Sequence, residues 1–201
     1  MEVEFIPLSQ LNEAHIRQLA KLHHEVMHTL LSDVGLPMVL RYYQTARSDS
    51  SVISICAINS SNEILGWAMG SPHPDRINSR LRTPFVWFMI QMFHLLFTRP
   101  LVLWQLISSV RSSSSQQDVD RGSIELTYIG VASNQRSRGL GKVVLKEFIE
   151  AAKQKSYQSI VLSVETDNEP AIALYEVSGF RTIKTYTEGR YQRHRMELIL
   201  E

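Results

Sequence analysis

One passage of this chain constrains its fold more than any other. An alternating segment over residues 123–131 runs through a basic turn, Arg136-Ser137-Arg138-Gly139-Leu140-Gly141-Lys142, into a helical pattern carrying Leu140, Val143, Val144, Phe148, Ala151 and Ala152 on one face. A strand that passes through glycines directly into a helix belongs to a layered sheet-and-helix domain. The flanks agree. Residues 3–8 read as a strand, and Leu11, Ile16, Leu19, Leu22, Val26 and Leu30 follow at helical spacing. A second helix over 38–46 begins just after Pro37, and 51–59 with 63–70 read as a hairpin. Downstream come a strand over 159–165, a helix over 168–178, and closing strands near 180–186 and 194–200. The alternation predicts an α/β (α+β) domain with a central mixed sheet flanked by helices.

Between residues 72 and 122 the pattern changes. A Pro and Arg cluster leads into the apolar stretch 85–107, and a Ser and Gln tract follows over 108–117. This reads as a helical or lid-like insertion in a single domain spanning 1–201, since 201 residues suffice for one substantial core. Gln91, His94 and Arg99-Pro100 interrupt the apolar stretch, and its unbroken parts fall short of the roughly 20 residues a span requires. No transmembrane span is expected; a lid, an acceptor-site wall or a homodimer surface is.

The net charge of +1 argues against a dedicated nucleic-acid binder, which gathers a basic excess on one face. Phosphate binding must then be local. The lone cysteine, Cys56, lies in an apolar run and fits a reducing interior, and the acidic Met1-Glu2-Val3-Glu4 lacks the features of a secretory signal. A cytoplasmic location is expected.

The basic turn is where local phosphate binding points. A helix start offers unpaired N–H groups and the positive end of the helix dipole, so main chain alone can hold phosphate oxygens. Gly139 and Gly141 let backbone approach an anion, while Arg136, Arg138 and Lys142 add charge. Two familiar phosphate loops do not fit. A nucleotide P-loop needs glycine at 136 and Ser or Thr at 143, where Arg136 and Val143 stand; a dinucleotide fingerprint needs glycine at 144, which is Val144. On the turn alone, an ordinary glycine-bearing loop before a helix is the competing reading.

Two later segments narrow the choice. Arg136-x-x-Gly139-x-Gly141 after a strand, then Asn168-Glu169-Pro170-Ala171-Ile172-Ala173-Leu174-Tyr175, then Gly179-Phe180, resembles the GNAT superfamily of N-acetyltransferases in order and spacing. The resemblance is specific across about 124–186. It implies a mostly antiparallel sheet splayed between its fourth and fifth strands, with acetyl-CoA as co-substrate and no metal. The pyrophosphate would lie on Arg136, Ser137, Arg138, Gly139, Leu140, Gly141 and Lys142. The pantetheine arm would run beside Ile129, Gly130 and Val131, with Gly130 leaving room for it. Asn168 resembles the family asparagine that contacts the cofactor, and capping its helix is compatible with that.

The resemblance also implies roles in catalysis. A tyrosine at the place of Tyr175 often protonates the departing thiolate, as a phenol with pKa of about 10 can. Its alternative is plain core packing. Several members carry a glutamate at the place of Glu125 that accepts the amine's proton, directly or through water. Strict alternation would put Glu125 on the strand face of Thr127, Ile129 and Val131. A solvated or ion-paired glutamate is the alternative. A strand-end N–H near Val131 would serve the oxyanion.

Other readings compete. His24-Glu25-Val26-Met27-His28 matches H-E-x-x-H, which on a helix could hold zinc for hydrolysis, but the extended metzincin residues are missing. A noncatalytic acetyl-CoA-binding protein is a third class. The acceptor amine, small molecule or peptide, is not named by the sequence: Glu13, Glu25, Asp33 and Asp49 are scattered and define no acidic cleft.

Overall fold

Seven strands form one sheet in the order β1-β2-β3-β4-β5-β7-β6. They are β1 Val3–Ile6, β2 Ile53–Asn59, β3 Ile64–Ser71, β4 Ser123–Val131, β5 Ser159–Glu165, β6 Arg181–Glu188 and β7 Tyr191–Ile199. The computed structural model describes residues 3–27, 29–81, 93, 122–188 and 191–201. Every neighbouring pair is antiparallel except β4 with β5. The helices are α1 Glu13–Val26, α2 Leu30–Val34, α3 Leu36–Arg47, α4 Pro74–Leu81, α5 Leu140–Gln154 and α6 Glu169–Val177. The predicted layered architecture is therefore present, with β4 and β5 starting and ending at the residues read from the sequence.

The sheet divides two cores. On one face Val144, Leu145 and Phe148 of α5 and Tyr175 of α6 pack with Ile53, Ala57, Ala68, Ile124, Ile160, Leu162 and Met196. On the other, Ile16, Leu19 and Ala20 of α1 and Val39, Tyr42 and Tyr43 of α3 pack with Cys56, Trp67 and Met69. The stiff β-branched strands and the 3.6-residue apolar stripes of the helices explain both. On this second face the described helices lie over β1 to β4, and the side chains of β5, β7 and β6 there are largely polar.

One irregularity in β4 matters for function. Met69 pairs with Tyr128 and Gly70 with Leu126, so Thr127 is an extra residue opposite β3. Such a bulge reverses the alternation beyond it. Ile124 and Leu126 face α5, yet so does Ile129, while Tyr128 faces α1 and α3. Gly70 makes the bulge possible: a Cβ there would lie 2.4 Å from the Glu125 carbonyl oxygen and 2.6 Å from Phe148 Cζ.

One sequence expectation changes. The apolar spacing from Leu11 to Leu30 suggested one helix, but α1 ends at Val26, Met27 is extended (φ −111°, ψ 118°), and Thr29 caps a separate α2. The helix on which both histidines of the H-E-x-x-H pattern were expected thus ends at Val26, and His24 is exposed. His28 lies outside the described residues. The insertion is described only in part. Its described part, α4, packs against α3 and is tied by Arg80 to Asp49 in the turn before β2 (3.1 Å). It leaves from the end of β3 and returns to the start of β4. That is the opposite end of the sheet from Val131, where the basic turn begins. The apolar stretch 85–107 lies outside the described residues apart from the exposed Phe93.

Candidate active site

Beyond Val131 the chain is tied down by the Ala132 N–H donating to the Leu65 carbonyl (2.8 Å), makes one 3₁₀ turn over Ser133–Gln135, and swings into α5. Ser137 (φ 61°) and Gly139 (φ 81°) both adopt left-handed backbone, which curls successive amides toward one side. Gly139 is the N-cap of α5 and has no side chain to satisfy the helix start. Its carbonyl accepts from Lys142 (3.1 Å) and Val143 (3.2 Å). Among the described residues, the N–H groups of Ser137, Gly139, Leu140 and Gly141 have no backbone partner. A Cβ on Gly139 would meet nothing within 4 Å, so the turn faces open space. Arg136, Arg138 and Lys142 stand at the same turn. The arrangement fits a diphosphate.

The turn opens onto a gap in the sheet. β4 and β5 share three register pairs, Ser123 with Ser159, Ile124 with Ile160 and Glu125 with Val161. Past these the strands part, although β4 runs on to Val131 and β5 to Glu165. Backbone groups of β4 beyond Glu125 on that side face the wedge. An extended chain rich in amides, such as pantetheine, suits such an edge.

Gly130 corrects one detail. A Cβ there would lie 2.7 Å from the Trp67 ring and 3.3 Å from Val26. Its missing side chain makes room for tryptophan on the α1 face, and only its backbone is available to a ligand. Ile129 and Val131 lie on the α5 face with Gly141, whose ideal Cβ sits 3.9 Å from both Val131 and Leu174.

Asn168 caps α6, its side-chain oxygen accepting from the Ala171 N–H at 3.3 Å, which leaves the amide nitrogen outward. Tyr175, two turns on, is buried beside Phe180 with ring centroids 5.7 Å apart. Burial pushes its phenol well above the ordinary tyrosine value, so it holds its proton throughout the physiological range.

Glu125 is not where strict alternation puts it. Because Thr127 is bulged, Glu125 lies on the face of Tyr128, opposite Ile129 and Val131. Its two carboxylate oxygens accept from Nη1 and Nη2 of Arg195, each at 3.1 Å. Arg195 Nη1 also donates to Ser163 Oγ (3.1 Å), which accepts from the Tyr186 hydroxyl (2.9 Å). Beside this network, Tyr128 stands edge-on to His23 (4.7 Å) and Tyr42 (5.4 Å), and burial pushes its phenol up to about 12. Sequence reading missed Arg195, Ser163, Tyr186 and Tyr128. No local motif marks them.

Comparison with known proteins adds independent information. The acetyltransferase (GNAT) family pattern matches residues 19–180. A mycothiol acetyltransferase of Clavibacter sepedonicus is 36% identical over 63 residues, 31% of this chain and 21% of its own. N-alpha-acetyltransferase 30 of Schizosaccharomyces pombe is 34% identical over 81 residues, 37% of this chain and 54% of its own. The chain thus spans about a fifth to a half of these relatives. Among solved structures, the ribosomal-protein-S18-alanine N-acetyltransferase from Escherichia coli superposes with a TM-score of 0.62 at 14% identity, covering 100% of this chain and 95% of that one. The NatC complex bound to Gag peptide and CoA gives 0.62 at 15% identity, covering 100% of both chains. At such identities these two likenesses speak to the fold.

Proposed function

Because the chain belongs to the acetyltransferase (GNAT) family, we propose that it transfers an acetyl group from acetyl-CoA to a primary amine by direct attack. One observation carries the reading: the unpaired stretch of the β4/β5 seam leads straight to a helix entrance with unsatisfied amides and the cationic side chains of Arg136, Arg138 and Lys142. Diphosphate binds Arg136 to Lys142, pantetheine lines the wedge beside Ile129, Gly130 and Val131, and Asn168 contacts the cofactor from α6. The acceptor approaches from the face of Tyr128 and Glu125.

The reaction then divides between the two faces of the sheet. The amine nitrogen bonds to the thioester carbonyl carbon, whose oxyanion takes a strand N–H near Val131. The carbon–sulfur bond breaks, and Tyr175, on the α5 side, supplies the thiolate's proton. Glu125, on the acceptor side, takes the proton the amine loses. Arg195 occupies two lone-pair positions of the carboxylate, and the rest remain for the amine or a bridging water. The buried single cysteine fits a reducing, cytoplasmic setting.

Relatives named mycothiol acetyltransferase and N-alpha-acetyltransferase 30 make mycothiol-related amines and α-amines the first acceptors to try. Tyr175→Phe is expected to lower turnover about a hundredfold with little change in CoA affinity. Gly139→Glu is expected to weaken CoA binding at least tenfold by placing charge and bulk where phosphate belongs. Thiol release from acetyl-CoA and calorimetry with CoA measure the two; unchanged turnover in the first or unchanged affinity in the second rejects that assignment. CoA binding without thiol release over a broad amine panel would instead favour the noncatalytic reading, which the engaged state of Glu125 keeps in play.

A further inference from the structure

Four strands meet in one side-chain network at the point where the sheet comes apart. Glu125 is the last β4 residue paired with β5; from there the strands diverge. Arg195 stands opposite Ser163 on β7, and reaches across β5 to Glu125. Neighbouring strands lie about 4.8 Å apart, so the guanidinium bridges two strand spacings. It does so with a fork: Nη1 to Oε1 and Nη2 to Oε2, both 3.1 Å. Ser163 Oγ holds Nη1 from beneath, and Tyr186 Oη on β6 fixes that hydroxyl by donating to it. Side-chain exposures of 19% for Arg195 and 16% for Glu125 leave the pair reachable from the acceptor face without being fully solvated.

We infer that Arg195 is a positioning residue for Glu125. Anchored by Ser163 and Tyr186, its fork fixes the plane of the carboxylate, so that the lone pairs not used by the guanidinium point toward the incoming amine. The inference rests on the acyltransferase reading and deepens it. A planar two-point contact sets the orientation of a carboxylate, whereas a single ammonium attracts it without fixing its plane. The arrangement therefore requires arginine rather than any cation. Because the network lies on the face opposite Ile129, Val131 and the α5 entrance, it acts on the acceptor side and leaves CoA binding alone.

A double-mutant cycle tests this, with kcat, the KM for acetyl-CoA, CoA affinity by calorimetry and thermal midpoint measured for each protein. Arg195→Met is expected to lower kcat about tenfold, with KM and CoA affinity within about twofold. Arg195→Lys is expected to fall with it, because charge returns but the fork does not. In a Glu125→Gln background, Arg195→Met is expected to add no further loss, since its effect passes through Glu125. Tyr186→Phe, a smaller perturbation for use if Arg195→Met does not fold, is expected to lower kcat two- to threefold and to have no effect in the Glu125→Gln background. Full rescue by lysine, additive losses in the double variants, or an effect confined to CoA affinity each overturn the inference while leaving the acyltransferase reading intact. Failure of the parent protein to bind CoA removes that reading, and this inference with it.

Discussion

At the scale of single residues, the two glycines that look alike in sequence play opposite parts. Gly70 is closed in by the Glu125 carbonyl and Phe148, so Gly70→Ala should cost about 1–3 kcal/mol through forced displacement of backbone at the bulge. For a chain of this size the thermal midpoint should fall about 2–4 °C per kcal/mol; calorimetric scanning checks it. Gly139, by contrast, faces open space, so a side chain there meets no packing neighbour and, on the proposed reading, would act on the bound anion. His23 gives a pH prediction. It is buried between Tyr43, Trp67 and Tyr128, its Nδ1 lies 2.7 Å from the Tyr43 hydroxyl, and burial with the nearby His24 lowers its pKa from 6.5 to about 4. The folded state thus resists protonation that the unfolded chain accepts. Its contribution is complete above pH 6.5 and is lost as pH falls through that value toward about 4, amounting to about 3 kcal/mol at the lower end. Urea titrations of the parent and of His23→Gln at pH 7 and pH 4.5 should show the difference between them shrinking at the acidic end.

At the scale of elements, β4, α5, β5 and α6 were legible because runs of β-branched or helically spaced apolar residues lie between marked ends: glycines before α5, Asn168 before α6. What failed to show was any event that changes phase. Counting by twos carried Glu125 to the wrong face, because nothing about Thr127 announces that it is the extra residue of a bulge. Counting by three and four ran α1 into α2, because Leu30 happens to keep the apolar spacing across the break at Met27. Gly130 was read as space for a ligand when Trp67, 63 positions earlier, fills it, and no local pattern reports such a long-range contact. The start of α6 offers an element-scale test. Asn168→Ala removes the cap on the Ala171 N–H and should cost about 1 kcal/mol in stability. If the outward amide also meets the cofactor, Asn168→Asp, which keeps the cap but loses the amide donor and adds negative charge, should lower CoA affinity with little change in thermal midpoint. Paired thermal melts and calorimetry separate the two contributions.

At the scale of the whole molecule, the sheet separates the work spatially. The basic turn, the wedge and the start of α6 share one end of β4; the insertion between β3 and β4 joins at the other. Replacing residues 83–120 by a flexible Gly/Ser linker should therefore leave CoA affinity within about twofold, since phosphate recognition is local to a helix entrance. Calorimetry on the shortened chain measures this, and loss of CoA binding would give the insertion a part in the cofactor site. The three β4/β5 register pairs have a mechanical meaning as well. A sheet stitched along only the lower third of its central seam can flex there like a book held by a few threads of its spine. On the proposed reading, a thioester lying in the fold of that book would supply the missing stitches, so occupancy and rigidity would rise together, and departure of the spent thiol would loosen the pages for the next amine.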